Sequence, residues 1–365
     1  MPNNKIRVAI SHGDINGISY EILLKVFSDE SILELFTPVI YGSSRIANYW
    51  KSKLGIDTKP WNLIKSANNI VDGQVNIINC IDGECFVNIG TPTNESGSIA
   101  LDSLERACND VKEKLCDVLV TAPISKHVMP KDRFPFKGHT DYLQDKFNTD
   151  KSMMILTAGN VRVALATTHI PLKEVANVIT TDIVFEKIVS LEKTLKEDFN
   201  IIKPRIAVLG LNPHCGDNGL IGKEEEDIII PAIKLADEKG CIVFGPYAAD
   251  GFFGSDTMYR FDGILAMYHD QGLAPFKALF MNNGVNFTSG IDIVRTSPDH
   301  GTGFDIAGMG VASVDSFRQS IYTAIDIFRA RERYREITKN PLKRMYVSGN
   351  KDENINMDSF DNDAD

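Results

Sequence analysis

Short β-branched runs alternate with longer stretches of helical period along most of the 365-residue chain. The strand-like runs are IRVAI, TPVIY, VNIIN, DVLVTAP, RVALATTH, RIAVLGLN, CIVFGPY and DGILAMYH. Between several of them lie SIALDSLERACNDVKEKL, DIVFEKIVSLEKTLKEDF and EEEDIIIPAIKLADEKG, each with apolar residues near i, i+3, i+4 and i+7. A long amphipathic run, VDSFRQSIYTAIDIFRARERYREIT, follows the last of them. This alternation predicts an α/β protein with a largely parallel sheet. Several runs switch abruptly from apolar to polar at their carboxyl ends, which is where open α/β sheets bind ligands.

The length favours two domains or one enlarged α/β unit. No internal repeat or Gly/Ser linker marks a boundary, so two subdomains are expected to interleave within residues 1–345, followed by an acidic, disordered tail over 346–365. After Gly349 the chain carries one lysine against six acidic residues, a large part of the formal net charge of -10. An acidic total argues against nucleic-acid binding, which needs a surface of phosphate-neutralising cations, but leaves room for a small anion in a local basic pocket. The start MPNNKIRVAI runs straight into a strand, and no apolar run approaches the roughly 20 residues that span a bilayer, so no membrane partner and a cytoplasmic location are expected. Six cysteines, at 80, 85, 108, 116, 215 and 241, form no CxxC pair and read as free thiols. There is no GxGxxG fingerprint and no Walker A loop, so any nucleotide must be held by another construction.

Three histidines occupy near-identical settings: His169 after RVALATT, His214 after RIAVLGLNP and His269 after GILAMY. Each stands just past an apolar strand, so all three are expected along one sheet edge, an arrangement suited to a catalytic metal with positions left open for water or substrate. A second set seeks anions. His139 and Thr140 follow Gly138 at a helix start, where backbone N–H groups favour a phosphate or carboxylate, while Lys277, Asn286 and Arg295 lie in sequence near the third histidine. Asp250 and Asp270 are the nearby carboxylates for proton handling, although Asp270 equally suits a cap on the helix behind it.

With these segments in view, the sequence resembles the 4-hydroxythreonine-4-phosphate dehydrogenase (PdxA) family. The resemblance runs from Ile6 to Arg333 through SHGDINGISYE, VTAPISK, FPFKGHTDYL, THIPL, LGLNPHCGDNGLIGKEE, GPYAADGFF, YHDQGLAPFK, GVNFTSG and RTSPDHGT. It implies a fold like that of isocitrate and isopropylmalate dehydrogenases, with two α/β domains and a cleft between them. It also implies a homodimer whose active site is shared between subunits. The implied reaction is NAD-dependent oxidation and decarboxylation of 4-phosphohydroxy-L-threonine in pyridoxal phosphate biosynthesis, assisted by a divalent metal such as Zn, Mg or Co, with NADP as the alternative nucleotide. By the same resemblance, the metal ligands are His169, His214 and His269, and the substrate is bound by His139, Thr140, Lys277, Asn286 and Arg295. Members usually carry Gly-Asp-Pro and then Gly-Ile-Gly-Pro-Glu at the N-terminal loop, where this chain reads GDINGISYE. Three alternatives stand beside this reading: a dehydrogenase of phosphorylated threonate or erythronate, a metal-dependent phosphoester hydrolase, and a catalytically silent binding or regulatory protein that keeps the fold without turnover.

Overall fold

The computed structural model describes residues 5–341 apart from 82, 150 and 151. The acidic tail expected over 346–365 lies outside the described residues. Among those described there are twelve strands: β1 (Ile6–Ser11), β2 (Phe36–Gly42), β3 (Asn62–Ile64), β4 (Asn76–Asn79), β5 (Val118–Thr121), β6 (Met153–Ala158), β7 (Val161–Leu165), β8 (Arg205–Leu209), β9 (Ile242–Tyr247), β10 (Gly263–Ala266), β11 (Val285–Ser289) and β12 (Arg295–Pro298). They form one sheet in the order β3-β4-β2-β1-β5-β12-β11-β6-β7-β10-β8-β9.

Eight pairings are parallel, and three, all in the middle, are antiparallel. The α/β class with a largely parallel sheet therefore stands. Each expected strand is present, but β3, β6, β11 and β12 are additions. The residues of β11 and β12 are not among the strands expected from sequence, because NFTS and RTSP lack the apolar run of a buried strand. Their polar side chains face a cavity, as shown below.

Helices cover the sheet where the amphipathic runs predict them. The helix Asn94–Lys112 starts on Thr93, whose hydroxyl caps the Ser96 N–H while the Ser96 hydroxyl caps Thr93, and buries Leu101, Leu104 and Ala107. It packs directly on the turn Lys126–Val128, where a Cβ at Gly97 would sit 2.0 Å from the Val128 carbonyl oxygen. Glycine at 97 thus fixes the height of the turn that carries Lys126. The last helix, Asp315–Thr338, buries Phe317, Ile321, Ala324 and Ile325. All six cysteines are free, as expected.

His12, one residue past β1, is fully buried, with Nδ1 unpartnered and Nε2 3.4 Å from the Ile99 carbonyl oxygen. Burial holds its pKa down at about 4 against an ordinary 6.5. Because the folded value lies below the unfolded one, the unfolded chain binds more protons between them, so this contribution is complete above pH 6.5 and is lost as pH falls towards 4. Between pH 7 and 4, wild type is expected to lose roughly 3 kcal/mol more unfolding free energy than His12→Gln. The buried carboxyls of Asp14 and Asp299, pushed up by burial, act with the opposite sign but equally in both proteins. Urea titrations at the two pH values check this, and parallel losses would place the acid sensitivity elsewhere.

Candidate active site

The floor of the site is the middle of the sheet. Register pairs Arg295 with Leu119 and Thr288, Ser297 with Asn286, and Thr288 with Met154. Directly paired residues, and every second residue along a strand, share a face. Thr121, Arg295, Ser297, Asn286, Thr288 and Met154 therefore project to one side. The walls are the start of the helix His139–Lys146, the segment Ala122–Lys126, His169 beyond β7, Lys277 on the helix His269–Phe280, and Asp299 to Gly301 beyond β12. They enclose a cavity of about 260 Å³.

All five residues expected to bind substrate, His139, Thr140, Lys277, Asn286 and Arg295, line this cavity, as does His169. The walls stand at the carboxyl ends of β5, β7 and β12, where the strand-end rule places ligands, and Asn286 and Arg295 rise from the sheet floor beneath.

Arg295 is only 2% exposed and donates to the hydroxyl oxygens of Thr121, at 3.2 and 2.6 Å, and Thr288, at 3.1 Å. No ion pair joins it to a carboxylate among the described residues, and burial pushes its pKa down to about 10, so it remains a cation at neutral pH. An uncompensated buried cation is costly unless an anion completes it. Lys126 adds a second charge, since a Cβ at Gly138 would lie 3.4 Å from its Nζ. His139, at the helix start, is held well below the usual imidazole range by burial and by Arg295 and Lys126, so it is neutral. Lys277 is engaged differently: it donates to the Asp299 carbonyl oxygen at 2.9 Å and lies 3.2 Å from its carboxylate.

Unsatisfied polar atoms gather here. Of the twelve buried side-chain atoms with no hydrogen-bond partner among the described residues, five belong to cavity residues: His139 Nε2, His169 Nδ1, Asn286 Oδ1, Asp299 Oδ2 and His300 Nε2. A larger cavity, of about 450 Å³, lies against the last helix, but only one such atom, Arg162 Nε, belongs to its lining. Buried polar atoms are nearly always paired, so a cluster of unpaired ones marks where a ligand supplies the partners.

The three histidines follow β7, β8 and β10, which are mutually parallel neighbours in the order β7-β10-β8, so they stand along one sheet edge as expected. The rings of His169 and His269 lie 6.0 Å apart between centroids. His269 Nδ1 is 2.7 Å from the Asp270 carboxylate, which leaves Nε2 as the free ring nitrogen, as in metal-binding imidazoles whose other nitrogen is held by a carboxylate. Burial, with Lys126 second, keeps His169 neutral and so able to ligate. This donor set fits a divalent cation. Yet among the described residues no three His, Cys, Asp or Glu side chains converge closely enough to hold a metal within one chain. His214 is the member set apart, exposed on a loop beyond β8.

The two carboxylates proposed for proton handling are not on the cavity wall. Asp270 has an 83% exposed side chain and orients His269, and its alternative as a helix cap is not realised, since the helix His269–Phe280 has no side-chain cap bond. Asp250, also exposed, lies near Cys215 and helps to raise its thiol pKa, behind burial and Glu225. The carboxylate that does face the cavity is Asp299, with a side chain 7% exposed and a pKa raised by burial. Sequence reading singled out the segments VTAPISK and RTSPDHGT but not Thr121, Lys126, Ser297, Asp299 or His300 within them. Residue spacing alone does not say which of several adjacent polar side chains turns inward.

A largely parallel α/β sheet, a cationic cavity on its central strands and a histidine pair beside it define a site whose chemistry suits a small anion next to a candidate metal position. The family described as pyridoxal phosphate biosynthetic protein PdxA matches residues 34–324. A 4-hydroxythreonine-4-phosphate dehydrogenase of Bacteroides thetaiotaomicron is 51% identical over 365 residues, covering both chains completely. One from a Sulfurihydrogenibium species is 42% identical over 90% of this chain and all of its own. The crystal structure of a 4-hydroxythreonine-4-phosphate dehydrogenase from Klebsiella pneumoniae superposes with a TM-score of 0.75 at 30% identity, covering 89% of this chain and all of that one. The chain belongs to the PdxA family.

Proposed function

We propose that this chain is a 4-hydroxythreonine-4-phosphate dehydrogenase. It oxidises the C3 hydroxyl of 4-phosphohydroxy-L-threonine, the hydride passing to NAD. The resulting β-keto acid loses carbon dioxide to give 3-amino-2-oxopropyl phosphate. The observation that carries this reading is the uncompensated Arg295 at the floor of a small cavity ringed by unpartnered polar atoms. A phosphate supplies the missing charge and the acceptors for Arg295, Lys126 and the helix start at His139 and Thr140. Binding the remote phosphate there orients the reacting carbon towards the histidine rim.

His169 and His269 of one chain hold the divalent cation, and His214 joins them across a homodimer. A cation held there would supply Lewis acidity towards a substrate oxygen. Asp270 holds the His269 ring through the 2.7 Å contact at Nδ1. Lys277 and Asp299, an ammonium and carboxylate 3.2 Å apart on the cavity wall, handle the proton in place of the exposed Asp250.

Incubation with 4-phosphohydroxy-L-threonine, NAD and a divalent cation is expected to yield NADH without inorganic phosphate, and chelation is expected to stop it. Phosphate release without NADH would transfer the site to ester hydrolysis. A faster reaction with phosphorylated threonate or erythronate would reassign the substrate.

A further inference from the structure

His214 is presented by a loop whose backbone is costly by itself. His214, Cys215, Asp217 and Asn218 have φ angles of 52, 52, 46 and 53°, with Gly216 at 79° between them. Each non-glycine residue in this left-handed region costs on the order of 1 kcal/mol, so a run of them persists only where the surroundings impose it. Turn hydrogen bonds within the loop, from Cys215 N to Asn212 O, Asp217 N to His214 O and Leu220 N to Asp217 O at 3.2 Å and from Ile221 N to Gly216 O at 3.0 Å, shape it locally, and two side chains elsewhere anchor it to the rest of the fold.

The first is Glu225, which is 1% exposed. Its Oε1 accepts from the backbone N–H groups of Leu211 and Asn212, both at 2.7 Å, and its Oε2 accepts from Asn212 Nδ2 at 2.9 Å. No ion pair to Glu225 occurs among the described residues, so three N–H donors, all in the segment leading into His214, compensate a buried carboxylate. The fit is close: a Cβ at Gly216 would meet Glu225 Oε2 at 2.7 Å. Glu225 opens a single π-helical turn, Glu225–Ile229, ahead of the helix Ile230–Glu238. Such turns re-aim side chains and recur at functional sites. The second restraint is Gln271, two residues beyond His269. Its Oε1 accepts from Met267 N at 2.7 Å, and its Nε2 donates to the Gly210 carbonyl oxygen at 2.6 Å. That amide ties the loop of His214 to the strand end of His269. Neither Glu225 nor Gln271 lines the anion cavity.

We propose that Glu225 is a positioning residue for His214: its carboxylate, with Gln271 as the tie to the His269 strand, holds the left-handed loop in the one shape that offers this imidazole to a divalent cation. The inference rests on the metal reading given above. Its force lies in separating the two halves of the site, because Glu225 serves the cation and leaves the anion cavity untouched.

The test uses the full-length protein, with Co²⁺ alone as one probe, followed by equilibrium dialysis and visible absorbance, and inorganic phosphate as the other, followed by calorimetry. Glu225→Ala is expected to weaken Co²⁺ binding about 10- to 100-fold, the usual scale for an outer-shell partner, with phosphate affinity unchanged. Glu225→Gln keeps one oxygen for the two backbone N–H groups but turns an amide nitrogen towards Asn212, so a smaller weakening is expected. His214→Ala serves as the control. If His214→Ala loses Co²⁺ while Glu225→Ala binds it as wild type does, the positioning role is wrong. If His214→Ala itself binds Co²⁺ like wild type, the metal reading fails, and the inference falls with it. Should Glu225→Ala not fold, Glu225→Gln and Gln271→Ala decide: weaker Co²⁺ binding with unchanged phosphate affinity supports the proposal, and unchanged Co²⁺ binding overturns it.

Discussion

Replacing Arg295 with methionine is expected to lower kcat/KM for 4-phosphohydroxy-L-threonine by about 10²- to 10³-fold while leaving the protein at least as stable as wild type. The two halves of this expectation share one cause. Arg295 is 2% exposed, and among the described residues its guanidinium hydrogen-bonds only to the hydroxyls of Thr121 and Thr288 and pairs with no carboxylate, so folding desolvates an uncompensated charge. Removing it relieves that penalty, and methionine fills a similar volume without a polar atom to satisfy. The bound substrate, in contrast, loses its fully buried charge-assisted donors, an interaction worth about 2 to 5 kcal/mol in desolvated settings. Steady-state kinetics and thermal unfolding of the same preparation check both halves. A variant with a lowered Tm and intact kcat/KM would make Arg295 a strut between β5 and β11, without a part in binding.

A deeper loss, about 10³-fold or more in kcat/KM, is expected for His169→Ala, because several kcal/mol of charge stabilisation in the transition state disappear with the cation. His169 is where the two parts of the site meet: it lines the anion cavity, and its ring lies 6.0 Å from that of His269. Its Nδ1 is buried and unpartnered, so truncation breaks no hydrogen bond at that atom and stability is expected to change little. Kinetics together with metal content measured on the purified variant form the check. Turnover like that of wild type with metal retained would remove His169 from the site, and His269 would then need a different neighbour.

Much of this was legible in the chain. The apolar runs and amphipathic stretches specify eight of the strands and the principal covering helices, because side-chain periodicity is a local property that burial only reads out. The histidines were placed along one edge by the same logic, since each follows a strand and the strands are parallel neighbours. The shared cavity of His139, Thr140, Lys277, Asn286 and Arg295 followed from the family resemblance, which links segments far apart in sequence.

What was not legible depends on pairing between distant segments. Strands β11 and β12 are disguised by the polar face they turn to the cavity, and only their antiparallel and parallel partners identify them as strands. Lys277 reads as a free cation in sequence, but the fold sets Asp299 beside it. Asp270 and Asp299 are both acidic residues next to a histidine, yet one is exposed and the other buried on the cavity wall.

From the sequence alone came the fold class, the edge that carries the imidazoles and the anion-seeking chemistry of the candidate site residues, because periodicity and residue chemistry are properties of short segments. Only the tertiary structure decided that the candidate anion cavity is floored by the central strands, that Arg295 has no counter-charge among the described residues, and that Glu225 grips the segment leading into His214. Burial and the pairing of polar groups exist only once remote parts of the chain are packed together, and they decide which of many chemically similar side chains do the binding.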